Sequence, residues 1–357
     1  MFQFDLKIQL KLKDHFEQRA RYLFYFWTIQ KFRMSTLDKI KLPVAEDVNK
    51  FEHFFKETIQ TETTFLNLII NYVIRSKGKQ VRPLFVFLSA KMFGEINRRT
   101  YLAASTIEIL HSASLIHDDV VDESYERRGM FSINALWKNK IAVLTGDYML
   151  AKGMLIATQE KEYEMLEIIS LAVEEMVEGE LIQLNKSRKL DIDEETYIEL
   201  IKKKTATLIG ISMSIGAYSV NCDPDSVKKM REIGTLVGLA FQIRDDIFDY
   251  QDKGIIGKPT GNDLKEKKIT LPLIYVLKNA SFIEKTKILN VIRRKSNQKE
   301  KVNELIELVR LKGGIDYATE KMNFYASEAQ KKLNEFPESE ARSALSQLID
   351  YVIIRKK

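Results

Sequence analysis

LIHDDVVDE, residues 115–123, and FQIRDDIFDY, residues 241–250, decide how this chain is read. Each holds the spacing D-D-x-x-D: Asp118, Asp119 and Asp122 in the first, Asp245, Asp246 and Asp249 in the second. Each interrupts an apolar, helix-like run (Leu115, Ile116, Val120 and Val121; Phe241, Ile243, Ile247 and Phe248). Residues four apart on a helix face the same way, so Asp118 pairs with Asp122 and Asp245 with Asp249. Three carboxylates this close repel one another unless a cation sits between them. Ionised Asp is also costly to bury unpaired. A lone acidic triplet is more often a solvated helix face, or a match to the positive N-terminal end of a helix. Two copies, both flanked by apolar residues, argue for a site. Oxygen-only clusters suit hard ions, and Mg²⁺ binds carboxylates together with substrate phosphates. The pair therefore points to a polyphosphate substrate clamped by several metal ions.

Working outward, apolar residues recur at three- and four-residue spacing from Asp38 onward, as in Phe51, Phe54, Phe55 and Ile59. No alternating strand pattern persists, and only 15 Gly and 6 Pro occur in 357 residues. Breaks fall at Lys77-Gly78, Gly94-Glu95, Gly129, Lys186–Asp191, Asn221–Asp225 and Lys253–Asp263. The expectation is an all-α protein, one large helical bundle over residues 34–357 with both Asp clusters toward helix ends around a central cavity. Residues 1–33 stand apart as a basic and aromatic extension with the run YLFYFW, read as a start-site artefact ahead of Met34. The stretch Leu208–Val220 is too short to span a membrane and reads as a buried helix. The single cysteine, Cys222, excludes an internal disulfide and reads as a packing residue. A net charge of +6 leaves nucleic acid, an anionic membrane and phosphorylated small molecules all open.

Basic residues accompany the acids in a definite order. Gly78-Lys79-Gln80-Val81-Arg82-Pro83 opens a helix. Arg127, Arg128 and Gly129 follow the first cluster, Lys203, Lys204 and Thr205 open a further helical run, and Lys258 and Lys268 follow the second cluster. Arg binds phosphate bidentately and Lys as a point charge. With the Gly146-Asp147 pair, E-G-E-x-x-Q at Glu178–Gln183, K-T-A at Lys204–Ala206 and G-K-P-x-G-x-D-L at 257–264, the chain resembles the trans-isoprenyl diphosphate synthases, or polyprenyl synthetases. The resemblance runs from about Gly78 to Pro272. Lys267 departs from it, since the family commonly has Gly before the lysine.

The resemblance implies the isoprenoid-synthase bundle and a head-to-tail prenyl transfer between isopentenyl diphosphate and an allylic diphosphate. It implies Mg²⁺ on Asp118 and Asp122, with Asp119 nearby, and on Asp245, supported by Asp246 and Asp249, roughly three ions in all. Arg127, Lys204, Lys258 and Lys268 would contact the leaving diphosphate, and Lys79, Arg82, His111 and Arg128 the isopentenyl diphosphate. Thr205 and Gln242 would stabilise the cation, and the released diphosphate would take the proton. His117 reads as a packing residue.

Product length follows from Ala113 and Ser114, five and four residues before Asp118, with Leu110 and Ile107 beyond them. At 1.5 Å per residue the two small side chains lie ~6–7.5 Å below the metals and leave the floor open, so a product of about C30–C45 is expected. The string IEILHSASLIHDDVVDES looks most like octaprenyl-type bacterial enzymes, which implies quinone side chains as the use. A short-chain farnesyl or geranylgeranyl synthase is the nearest alternative. A class I terpene cyclase normally lacks the second D-D-x-x-D, and a regulatory subunit usually loses Asp or Lys/Arg ligands. A nucleic-acid or scaffold role would rest on charge alone. The further expectations are a cytoplasmic homodimer, no nucleic-acid partner, and peripheral membrane contact for product release.

Overall fold

The computed structural model of the chain describes residues 35–76, 78–127, 129–251, 261–294, 296 and 298–354. The extension expected over residues 1–33 lies outside them. The chain divides after Leu42. Before that point the described residues form one short helix, α1 (Thr36–Lys41), closed by a capping box in which Ser35 and Asp38 bond each other's backbone N–H.

From Pro43 the chain is helical almost throughout, as the three- and four-residue spacing predicts. Its helices are α2 (Ala45–Ile59), α3 (Thr64–Arg75), α4 (Val81–Phe93), α5 (Arg98–Val121), α6 (Ile133–Gln159), α7 (Tyr163–Lys189), α8 (Glu194–Ile201) and α9 (Thr207–Ser219). They continue as α10 (Pro224–Phe248), α11 (Asn262–Lys265), α12 (Leu271–Asn279), α13 (Phe282–Arg294), α14 (Lys299–Leu311), α15 (Gly314–Leu333) and α16 (Glu340–Ile354). Helix starts follow capping chemistry. Asn97 caps α5, Asp193 caps α8, and Asp223 caps α10 with Pro224 in its first turn.

Helix α9 is the apolar stretch read as a buried helix, and nearly every residue in it is buried. It packs on α4, α5, α7 and α10, so it forms the axis around which the long helices gather. A helix apolar all round belongs in such a position. Two features were not expected. A small antiparallel ribbon, β1 (Glu126–Arg127) and β2 (Met130–Phe131), follows α5, and Gly129 turns it at φ +75°. Helix α6 is also long and apolar enough to cross a membrane, although no such run was expected. It carries Lys138, Lys140, Asp147 and Lys152, packs along α5 with one side and leaves Leu144 and Leu155 exposed on the other.

Candidate active site

Both acidic clusters end their helices. Asp118 lies in the last turn of α5 and Asp122 caps it; Asp245 and Asp246 lie in the last turn of α10 and Asp249 caps it. A helix C-terminus carries partial negative charge, so these carboxylates add to the repulsion instead of relieving it. A match to a helix N-terminus is thereby excluded. Neither last turn supplies a basic residue of its own, so compensation must come from other segments.

The middle carboxylate of each triplet is held by the protein. Asp119 is 5% exposed, and Arg127 donates to its Oδ1 from Nε at 2.7 Å and from Nη2 at 2.6 Å. The ribbon after α5 is what brings Arg127 back onto its own helix end. Asp246 is equally buried, but its partners are neutral. Tyr197 OH donates to Oδ2 at 2.6 Å and Gln242 Nε2 to Oδ1 at 2.8 Å. Thr205 Oγ1 in turn donates to Gln242 Oε1 at 2.9 Å. Burial raises the Asp246 pKa; the Tyr197 and Gln242 bonds pull it down, and Asp245 and Asp249 push it up again. Asp263 is raised well above the usual range by burial, then by Asp246 and Asp249. Its backbone N–H donates to Asp249 Oδ2 at 3.1 Å.

A cavity of about 180 Å³ is bordered by Asp246, Gln242, Thr205, Lys204, Asp263 and Lys268. Lys204 and Thr205 sit on a π-helical turn, Lys202–Ala206, between α8 and α9. Such turns are frequent at functional sites, because they re-aim side chains. Lys204 pairs with Glu180 and donates to Gln183 Oε1 at 3.3 Å. Gly179 lets α7 approach this closely: a Cβ there would lie 3.0 Å from the Lys204 backbone nitrogen. The Asp118 pKa is pushed up to about 6 by burial, against the pull of Lys204, with Glu180 and Asp122 adding to the rise. For Lys268, burial works against the charge, but Glu266 at 2.6 Å, then Asp122 and Asp263, hold its pKa above the ordinary value. Lys268 thus feels Asp122 of the first cluster as well as Asp263, and Lys204 acts on Asp118 while bordering the cavity of Asp246. The first cluster is thus within electrostatic reach of the cavity that Asp246 borders.

Among the described residues no three acids or histidines converge into a preformed metal cage. Mg²⁺ does not ask for one, since it dehydrates reluctantly and takes one or two carboxylates plus substrate oxygens. Asp245 Oδ1 is buried with no hydrogen-bond partner among the described residues, as an atom awaiting a cation would be. Asp245 thus fits a divalent ion, and Asp118, Asp122 and Asp249 are the other carboxylates that would hold one, while Asp119 and Asp246 are engaged by protein donors.

Of the remaining expected residues, Arg82 and His111 meet each other. Arg82 Nη1 lies 2.9 Å from His111 Nε2, within hydrogen-bond distance. Lys79 Nζ lies 5.4 Å from the centre of the Tyr351 ring, on α16. That helix is tied to α10 by Arg244, which donates to the Val352 carbonyl. Arg128 and Lys258 lie outside the described residues. His117 packs against α6: its Nε2 is 3.3 Å from Asp147 Oδ1, and a Cβ on Gly146 would run into the ring.

Ala113 is fully buried and Ser114 half-buried, its hydroxyl donating to the His111 carbonyl at 2.9 Å. A second cavity of about 180 Å³, mostly apolar, is lined by Thr106, Ile109, Leu110, Leu150, Gly153 and Val173 among others. Leu110 and Thr106 lie ~12–18 Å along α5 from Asp118, but at 3.6 residues per turn they are turned about 80° and 120° from it, so the cavity opens on an adjoining face of the helix. Ile107 is fully buried and is not part of its lining.

Sequence reading gave no role to Tyr197 or Asp263, and none to Glu180 or Gln183 although their motif was noticed. Asp263 and Glu180 were signalled by the segments that contain them. Tyr197 had no signal, being 49 positions from the aspartate it holds.

The chain matches the polyprenyl synthetase family model over residues 63–309. It is 35% identical to heptaprenyl diphosphate synthase component 2 of Bacillus subtilis over 87% of this chain and 88% of that protein. It is 32% identical to a geranylgeranyl diphosphate synthase of Saccharolobus solfataricus over 90% of this chain and 99% of that one. Among solved structures, a decaprenyl diphosphate synthase from Rhodobacter capsulatus superposes with a TM-score of 0.85 at 31% identity, covering 90% of this chain and 99% of its own. With the fold and the paired aspartate clusters already in place, these likenesses make the chain a prenyltransferase belonging to the polyprenyl synthetase family.

Proposed function

We propose that the chain condenses isopentenyl diphosphate head to tail with an allylic diphosphate, in a Mg²⁺-dependent reaction, to make an all-trans polyprenyl diphosphate of about C30–C45. The observation that carries this reading is the cavity bordered by Asp246, Lys204 and Lys268, whose lysines act electrostatically on Asp118 and Asp122 of the first cluster. Asp118 and Asp122 of one cluster and Asp245 and Asp249 of the other would hold the ions. Bound Mg²⁺ supplies Lewis-acid neutralisation of the charge on the departing diphosphate. Lys204 and Lys268 bind the same group as fixed positive charges. The Thr205–Gln242 pair places oxygen atoms on the chamber wall, where they can stabilise an allylic cation. Lys79, Arg82 and His111 hold the isopentenyl diphosphate and set the attacking double bond.

The relatives make products from geranylgeranyl to nonaprenyl, by their names, so length rests on this chain's own floor. Small Ser114 on the Asp118 face of α5, with an apolar cavity farther along the helix on an adjoining face, favours the longer product. Quinone side chains are the use proposed for it. A homodimer is also proposed. Helices α6 and α7 expose Leu144, Leu155, Val177 and Leu181 at helical spacing, an apolar surface that a partner copy would cover. A cytoplasmic enzyme releasing product at a membrane surface would suit soluble substrates and a long apolar product.

Incubation with isopentenyl diphosphate, Mg²⁺ and farnesyl diphosphate, then dephosphorylation and chromatography, tests the proposal. Alcohols of about C30–C45 are expected, and Ser114→Phe should shorten them with turnover largely kept, because a ring there would block the path at ~6 Å from Asp118. Products that stop at C15–C20 in the unaltered chain would favour the short-chain reading.

A further inference from the structure

The chamber beside the second cluster has more cations in its wall than the transfer step uses. Lys204 and Lys268, assigned above to the departing diphosphate, are each paired with an acid, Glu180 and Glu266. Lys186, near the end of α7, and Lys267 also border the chamber, and among the described residues neither is paired with a carboxylate. Lys267 stands in an unusual place. Its N–H bonds to the Leu264 carbonyl at 3.2 Å and the Lys268 N–H to the Asp263 carbonyl at 2.7 Å. Together these two bonds are a Schellman closure of α11, with Lys267 at the left-handed position, φ +59°. Glycine suits that position, and a side chain there costs conformational energy. The closure also sets Lys268 on the cavity wall, paired with Glu266 at 2.6 Å. The chain thus keeps a charged side chain at a backbone position that disfavours any side chain, beside a cavity of about 180 Å³.

We propose that Lys186 and Lys267 form an additional diphosphate subsite in the wall of this chamber, which holds inorganic diphosphate after it leaves the allylic carbon. This rests on the proposed reading that the chamber receives the leaving group. The shared ligand chemistry is a diphosphate, which could arrive free or as the head of the allylic substrate, and two experimental arms separate these. The first is titration calorimetry of inorganic diphosphate with Mg²⁺ into the full chain, beside its inhibition constant in turnover. The second is the KM for farnesyl diphosphate. The double substitution Lys186→Ala with Lys267→Gly should weaken inorganic diphosphate in both measurements by roughly tenfold, the effect of losing two charged contacts. The KM should move by less than about twofold, since neither lysine holds the allylic head. Lys267→Arg should keep the affinity, because charge is retained. Lys267→Gly alone should have a thermal midpoint no lower than the parent, so a lost affinity cannot be put down to unfolding. Unchanged affinity for inorganic diphosphate in the double variant would overturn the proposal. So would a KM rising in step with the inhibition constant, which would assign both lysines to the incoming substrate. Calorimetry needs no turnover, so absence of prenyl transfer would defeat the functional reading separately.

Discussion

The two aspartate clusters share one spelling but sit in different surroundings. At the end of α5 the middle carboxylate, Asp119, is clamped by a charge, Arg127, delivered by a short ribbon. At the end of α10 the middle carboxylate, Asp246, is clamped by neutral donors, Tyr197 and Gln242, with a further buried acid, Asp263, close by. A charged clamp compensates its carboxylate by direct pairing. A neutral clamp in a buried place, among other acids, leaves proton uptake as the easier state until a cation arrives. The difference suggests a division of labour, with the first cluster ready for metal-bound substrate and the second completed by ligand.

The largest effects should come from the outward-facing acids. Asp118→Ala should lower turnover by roughly a thousandfold, and Asp245→Ala by about a hundredfold or more, measured by steady-state product formation. Near-normal turnover in either would remove that carboxylate from the site. A reversed order would mean that the second cluster carries more of the ionisation than the surroundings imply.

The clamps should separate by stability. Arg127→Leu leaves Asp119 as a buried charge without its partner and should cost about 3–5 kcal/mol. Tyr197→Phe removes one neutral donor from Asp246 and should cost about 1–3 kcal/mol. Denaturant midpoints check both. Equal losses would show that the two clamps are energetically alike despite their chemistry.

The smallest effect is a pH slope in metal-free protein. The Asp118 pKa in the folded chain, about 6, lies above the ordinary 3.8. Between these values the folded state holds a proton that the unfolded chain has released, so stability falls as pH rises through this window. Asp246, raised as well, acts in the same direction. Thermal midpoints should therefore drop as pH is raised from about 4 to 6. Asp118→Asn should flatten the slope, and so should Mg²⁺ with a diphosphate ligand. A midpoint that instead climbs across the window would contradict the direction given for Asp118.

How much of this was legible in the sequence depends on distance along the chain. Helix α9 could be read because its burial is written in consecutive residues, and α5 and α10 because their periodicity is long. The D-D-x-x-D strings announced themselves by local spacing. The clamps did not. Arg127 is eight residues from Asp119 and was visible as a basic residue, but its commitment to that carboxylate depends on a ribbon too short to show any alternation. Tyr197 reads as one more aromatic in an amphipathic helix until α8 packs beside α10. Lys186 and Lys267 look like solvated surface charge, because the wall they border is closed by segments far apart in sequence. Helix α6 shows the converse: its apolar residues are conspicuous once the helix is seen, but scattered lysines broke the run on paper.

The claim at the centre is that opposed carboxylates bind divalent ions only in company with a diphosphate. Calorimetric titration of Mg²⁺ into the chain, with and without a non-ionisable allylic thiodiphosphate, tests it directly. Tight, saturable binding is expected only with the analogue present, and it should be lost in both Asp118→Ala and Asp245→Ala. Equal Mg²⁺ binding with and without the analogue, or binding untouched by either substitution, would contradict the account.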